Sequence, residues 1–99
     1  TNPEELIGAA HAGCFSMALA LELEQAGYTP ERIQTRARVH LDKVEQGFAI
    51  TRIELDTEAR APGIPENTFR ERANAAKNGC PVSQLVKGAD VSLNAELVG

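Results

Sequence analysis

Apolar residues cover nearly every face of the chain between Leu6 and Leu23, then give way after Ile33 to alternation, and these two periods divide the chain into its elements. The stretch TNPEEL opens a helix: Asn2 supplies the N-cap, Pro3 stands at the first helical position where its missing N–H costs nothing, and Glu5 completes a capping box. Gly27 suits the position just past the end, so the first helix is expected over about residues 3 to 26. Its first half is apolar all round and rich in small residues, which let another helix or a sheet approach the backbone closely. That half belongs in a core, of one subunit or of two. From Ile33 the period is two, with Ile33, Thr35, Ala37, Val39 and Leu41 on one face and Gln34, Arg36, Arg38, His40 and Asp42 on the other. Val44-Glu45-Gln46-Gly47 reads as a tight turn with glycine late, and Phe48 to Ala61 alternates again, so the two strands form a long, charged hairpin.

PGIP at 62–65 breaks the second strand. Phe69, Ala73, Ala76 and Lys77 then mark an amphipathic helix ending near Asn78-Gly79. In GCPVSQLVKG a short third helix follows, with Cys80 at the N-cap, Pro81 at the first helical position and Gly88 as the stop, before Val91, Leu93, Ala95 and Leu97 alternate as a last strand. The order α-ββ-αα-β predicts an α+β fold in which a mostly antiparallel sheet covers a central buried helix, in one domain spanning residues 1–99.

Size changes this picture. A chain of 99 residues buries only about 60 to 65% of its unfolded surface, so its core is thin and a homodimer would repair it. The balance of 42% hydrophobic to 24% charged residues is that of a water-soluble globular domain, and the formal net charge of −4 argues against nucleic acid and anionic membrane surfaces as partners. The run Leu6 to Leu23 has membrane length but is interrupted by Gly8, His11, Gly13, Ser16 and Glu22 and has no basic flank, so it is expected to be a core helix. TNPEEL is not a signal peptide, and two cysteines without a secretory signal point to redox or metal chemistry in the cytoplasm more than to a structural disulfide.

Cys80 gains most from its surroundings, because a helix N-terminus favours a thiolate; the plain alternative is a small hydrophobe between helices. Cys14, in mid-helix, gains nothing from a dipole, and simple burial would leave it inert. His11, three residues before Cys14, shares its face and could serve as base, orienter or metal ligand, or simply be a core histidine with its hydrogen bond satisfied. A zinc site would require His11, Cys14, His40 and Cys80 to converge without any spacing that announces it. Phosphate loops and G-x-S-x-G are absent, and the charged hairpin face is most simply a solvated surface.

Taken together, TNPEELIGAAHAGCFSMALA, NGCPVSQ and the element order between them resemble the OsmC/Ohr family of thiol-dependent peroxidases, and His11 resembles its OsmC branch. The resemblance covers essentially the whole chain. It implies an OsmC-like fold in an interwoven homodimer, and a cytoplasmic peroxidase that reduces organic hydroperoxides and hydrogen peroxide in oxidative or osmotic stress defence, without metal or cofactor. By the same resemblance Cys14 is the peroxidatic cysteine, Cys80 the resolving cysteine, and their disulfide is opened by an external dithiol such as a lipoylated protein. Glu4 matches a carboxylate that orients an activating arginine, which in the family lies in a segment, with the first strands of the sheet, before the position of Thr1; a longer protein is therefore expected. Ten residues of helix put Glu4 about 15 Å from Cys14, so Glu4 is expected to serve a partner subunit. The alternative is a non-catalytic small-molecule-binding or interaction domain on the same fold.

Overall fold

The computed structural model describes residues 2–99; Thr1, where the expected domain begins, lies outside them. Helix α1 spans Pro3–Gln25. The Asn2 side chain accepts a hydrogen bond from the Glu5 backbone N–H at 2.8 Å, as the opening motif requires. At the other end Tyr28 N–H donates to Leu23 and Gly27 N–H to Glu24, at 2.9 and 3.0 Å, a Schellman closure that Gly27 permits with φ of +94°.

Strands β1 (Arg32–Val44) and β2 (Gly47–Arg60) form the hairpin, antiparallel from the pair Arg32 and Arg60 to the pair Val44 and Gly47. Strand β3 (Asp90–Leu97) joins the far side of β2 in parallel, so the sheet is mixed in the order β1-β2-β3, with the antiparallel hairpin its longer part. A parallel neighbour needs a crossover, and helices α2 (Glu66–Gly79) and α3 (Pro81–Leu85) supply it. Helix α3 stops three residues short of the expected Gly88; the Val86 N–H caps it on the Val82 carbonyl.

The core is where α1, α2 and the inner face of the sheet meet: Phe15, Leu19, Leu23, Ile53 and Phe69 are fully buried. The approach of α1 to β1 is close, and a Cβ at Gly8 would stand 3.3 Å from Val39 Cγ2, which explains glycine there. The polar residues of this layer are bonded in series, Ser16 Oγ to Thr35 Oγ1 at 2.6 Å and Thr35 to Thr57 at 2.9 Å, so α1 is tied to both hairpin strands without an orphaned hydroxyl.

Two expectations change. The inward face of β1 loses its cover at its end: the register slips between His40 and Leu41, and Leu41, lining a cleft with Ala37 and Val39, is 44% exposed. Helix α1 is long and apolar enough to cross a membrane by length and composition, yet it is not buried all round. One face, Gly8, His11, Phe15, Leu19 and Leu23, is core. The opposite face exposes Leu6, Met17 and Leu21 at 62, 76 and 56%, with the exposed small residues Ala9, Ala10 and Gly13 between them. The hairpin extends past the helices and gives the molecule its 49 Å length.

Candidate active site

Cys80 owes its position to proline. Pro81 disfavours helical backbone at the residue before it, so Cys80 adopts φ −64° and ψ 125° and becomes at once the C-cap of α2 and the N-cap of α3. Its N–H donates to the Ala76 carbonyl at 2.9 Å and its carbonyl accepts from the Gln84 N–H at 3.1 Å. One residue thus links two helices with its backbone satisfied, and its side chain is driven inward, 0% exposed.

Cys14 lies in the middle of α1, partly open to solvent. The Cys80 thiol donates a hydrogen bond to the Cys14 sulfur, with the sulfurs 2.9 Å apart, and both are free thiols. The first turn of α3 adds a second donor, since the backbone N–H of Val82 bonds the Cys14 sulfur. Burial nonetheless pushes the Cys14 thiol above its ordinary value, and the neighbouring Cys80 sulfur adds to that, outweighing the Val82 N–H that pulls it down. The protonated thiol is therefore the resting form near neutral pH, and a cation is needed to make this sulfur a strong nucleophile.

His11 is fully buried one turn before Cys14. Its Nε2 is hydrogen-bonded to Ser83 Oγ at 2.8 Å, and desolvation lowers its pKa, so the ring is neutral. His40 is elsewhere, on the hairpin, with Nε2 2.7 Å from Glu54 Oε1, so His11, Cys14, His40 and Cys80 do not form one ligand set. Among the described residues no group of three or more His, Cys, Asp or Glu is placed to hold a metal ion. Glu4 stands on the first turn of the same unbroken helix as Cys14, lining a shallow cleft with Gly8, Ala37, Val39 and Leu41. The fold brings the two cysteines together and leaves Glu4 at the other end of the cleft side of α1. Ser83 and the Val82 N–H were not foreseen as parts of the site; the signal for both is that Pro81 places residues 82 and 83 in the first turn of a helix starting at Cys80.

A cysteine in mid-helix, a second cysteine at a helix junction in contact with it, and a hairpin between them in the chain define a dithiol site on an OsmC-type α+β fold. A family model described as OsmC-like protein matches residues 1–94, and the chain belongs to that family. It is 59% identical over 97 residues to Peroxiredoxin OsmC of Escherichia coli (strain K12), covering 98% of this chain and 67% of the relative. Among solved structures it resembles an organic hydroperoxide resistance protein OsmC from Legionella pneumophila, with TM-score 0.78 and 28% identity over 97% of this chain and 69% of the other. An OsmC-like protein from Mycoplasma pneumoniae shares the fold at TM-score 0.87 and 18% identity, over 99% of this chain and 72% of that one. The chain thus spans about two thirds of the length of these relatives.

Proposed function

We propose that the Cys14–Cys80 pair carries the redox cycle of this chain. As a member of its family alongside Peroxiredoxin OsmC, the chain is a thiol-dependent peroxidase for organic hydroperoxides. The Cys14 thiolate attacks a hydroperoxide oxygen; an S–O bond forms, the O–O bond breaks, and the departing alkoxide takes a proton and leaves as an alcohol, or as water when the substrate is hydrogen peroxide. Cys14 is then a sulfenic acid. The Cys80 sulfur attacks it, water leaves, and a disulfide results, which an external dithiol such as a lipoylated protein opens by exchange. One observation carries the assignment: in the reduced protein the sulfurs are already 2.9 Å apart, less than 1 Å from the roughly 2.05 Å of a disulfide. Only Cys14 of the two is open to solvent, which makes it the one that meets the peroxide. In the cytoplasm, where this reading places the chain and where disulfides do not persist, the pair rests as two thiols between turnovers.

The cation that Cys14 lacks comes, in this proposal, from an arginine of a segment preceding Thr1, oriented by Glu4 of a partner subunit in a homodimer. The apolar outer face of α1 supports the dimer. Two copies of α1 crossing antiparallel at the small, exposed Ala9 and Ala10 set Glu4 level with the Cys14 of the partner subunit, since residue 9 lies midway between positions 4 and 14, and they cover Leu6 with Gly13 close by.

The test is reductant-dependent consumption of an organic hydroperoxide by the full-length protein. Cys14→Ser abolishes it, by a factor of at least about 10³, while Cys80→Ser still forms one sulfenic acid per chain, trapped by a dimedone-type probe. Loss of the first oxidation in Cys80→Ser and not in Cys14→Ser would exchange the roles, and unaltered consumption in both would leave a binding domain.

A further inference from the structure

Among the described residues the contact between the sulfurs is one of two bonds between side chains that join α1 to the start of α3, beside the Val82 N–H that reaches the Cys14 sulfur. The other is His11 to Ser83. The spacing is the same on both sides: His11 and Cys14 are three residues apart on α1, Cys80 and Ser83 three residues apart at the start of α3. The elements therefore meet in a ladder of two rungs, one of sulfur and one of imidazole and hydroxyl. Among the described residues every other bond from a side chain of α1 to a side chain of another element goes to the sheet or to α2. His11 is 0% exposed and its Nδ1 has no partner among the described residues, so the bond to Ser83 is the single polar attachment of the ring. A buried histidine placed only to fill the core would give up hydrogen bonding that an apolar residue of similar volume never requires.

Peroxide acts on the two rungs differently. Oxidation of Cys14 to the sulfenic acid ends the thiol–thiol hydrogen bond at the moment Cys80 must stay in reach. The His11–Ser83 bond contains no oxidisable atom and survives that step. We propose that His11 is a positioning residue for resolution: through Ser83 it holds the first turn of α3 on α1 while Cys14 is a sulfenic acid. The proposal rests on the roles given to Cys14 and Cys80 above. Two reactions compete for the sulfenic acid. Attack by the Cys80 thiol expels water and forms the disulfide; attack on a second hydroperoxide transfers oxygen to Cys14, releases an alcohol and leaves an irreversible sulfinic acid. Holding Cys80 in place favours the first, because an intramolecular partner kept in attacking geometry outruns a dilute external one. The His11–Ser83 bond thus sets how much peroxide the protein survives more than how fast Cys14 first reacts.

The experiment uses the full-length protein, oxidised with excess organic hydroperoxide without reductant and analysed by mass spectrometry for the ratio of Cys14 sulfinic acid to Cys14–Cys80 disulfide. Ser83→Ala removes one hydroxyl from a half-buried residue and is expected to raise the ratio about fivefold, the effect of one ordinary hydrogen bond, with a smaller fall in the rate of first oxidation as the Val82 N–H beside it shifts. Ser83→Thr restores the parent ratio. At position 11, His11→Gln places an amide near the position of Nε2 and keeps the parent ratio, whereas His11→Asn reaches only the Nδ1 position and raises it. If the position 11 variants do not fold, the Ser83 pair decides. A parent ratio in Ser83→Ala, or a fall in its first oxidation rate as large as the rise in the ratio, overturns the proposal. Cys80→Ser, which cannot form the disulfide, separates the two levels through its yield of Cys14 sulfinic acid: if that yield rises to all of the oxidised protein while Ser83→Ala matches the parent, positioning by His11 fails alone, and if it is no higher than the parent's, the resolving role of Cys80 fails and the proposal with it.

Discussion

The two ends of the molecule are built from similar residues and reach opposite states. Where α2 and α3 close over α1, Phe15, Leu19, Leu23 and Phe69 are fully buried, and His11 and Cys80 are sealed in with them. At the hairpin end Leu41, Val44 and Phe48 are 44, 41 and 71% exposed, and Leu6, on the turns of α1 beside them, is 62% exposed. The difference is not hydrophobicity. It is the presence of a third layer: the crossover helices cover α1 from His11 onward, while toward the tip the hairpin runs beyond every helix of its own chain. Buried chemistry is confined to the covered end, since only there can a thiol, an imidazole and a hydroxyl be held in fixed geometry away from water.

Stability measurements test this contrast most strongly. Phe15→Ala removes a fully buried ring and is expected to cost about 3 to 5 kcal/mol in urea unfolding, whereas Phe48→Ala at the tip costs less than about 0.5 kcal/mol in the unassociated chain. Equal losses at both positions would mean that the hairpin end is covered within the single chain.

Self-association comes next. Met17→Glu on the outer face of α1 places a charge in the proposed dimer seam and is expected to raise the dimer dissociation constant at least about tenfold, or about 1.4 kcal/mol, by sedimentation velocity at micromolar concentration. A parent protein that sediments as a monomer would remove the homodimer altogether.

The reactivity of Cys14 tests the covered end more finely. Since burial raises its thiol pKa, alkylation of Cys14 in the 99-residue chain is expected to climb with pH throughout the range from about 7 to 9, roughly tenfold per unit below the pKa, as thiolate forms. In the protein carrying the preceding segment the rise shifts to lower pH. Identical profiles would exclude that segment as the source of the activating charge.

The smallest effect belongs to His11. Its folded pKa lies below the 6.5 of the free side chain, so below about pH 6.5 the unfolded chain takes up a proton that the folded chain does not. The stability associated with His11 is therefore complete above pH 6.5 and declines as pH falls toward the folded pKa. Chemical denaturation of His11→Gln between pH 7 and 5 is expected to show a shallower decline than the parent, and an equal slope would show that His11 takes no part in it.

Much of the arrangement was legible in the chain because it is local. The capping residues Asn2, Pro3 and Gly27, the turn at Gly47, the break at PGIP and the Cys80-Pro81 junction each act within a few residues of themselves. The inward faces of β2 and α2 followed from period alone, and Ile53, Leu55, Phe69 and Ala73 are buried as their spacing predicts. The pairing of β3 was not legible: alternation says that Val91 and Leu93 face one way and nothing about whether β3 runs with or against β2. The exposure of Leu41 was not legible either: period places it on the face of Ala37 and Val39, whose cleft it lines, but says nothing of how far the helices reach along that face, and Leu41 is left 44% exposed.

The site divides in the same way. That Cys80 would cap a helix, and that His11 and Cys14 would share a face, are consequences of backbone geometry within one segment and were determined by the sequence alone. That Cys14 meets Cys80 at 2.9 Å and His11 meets Ser83 at 2.8 Å was decided only by how the crossover folds back over α1, because contacts between residues far apart in the chain depend on packing of every element between them. Period and capping could show that α1 is apolar on all sides; only the tertiary structure determined which side α2 and the sheet would cover and which would be left for a partner, since a helix uniformly apolar around its axis carries no local preference for the face it buries.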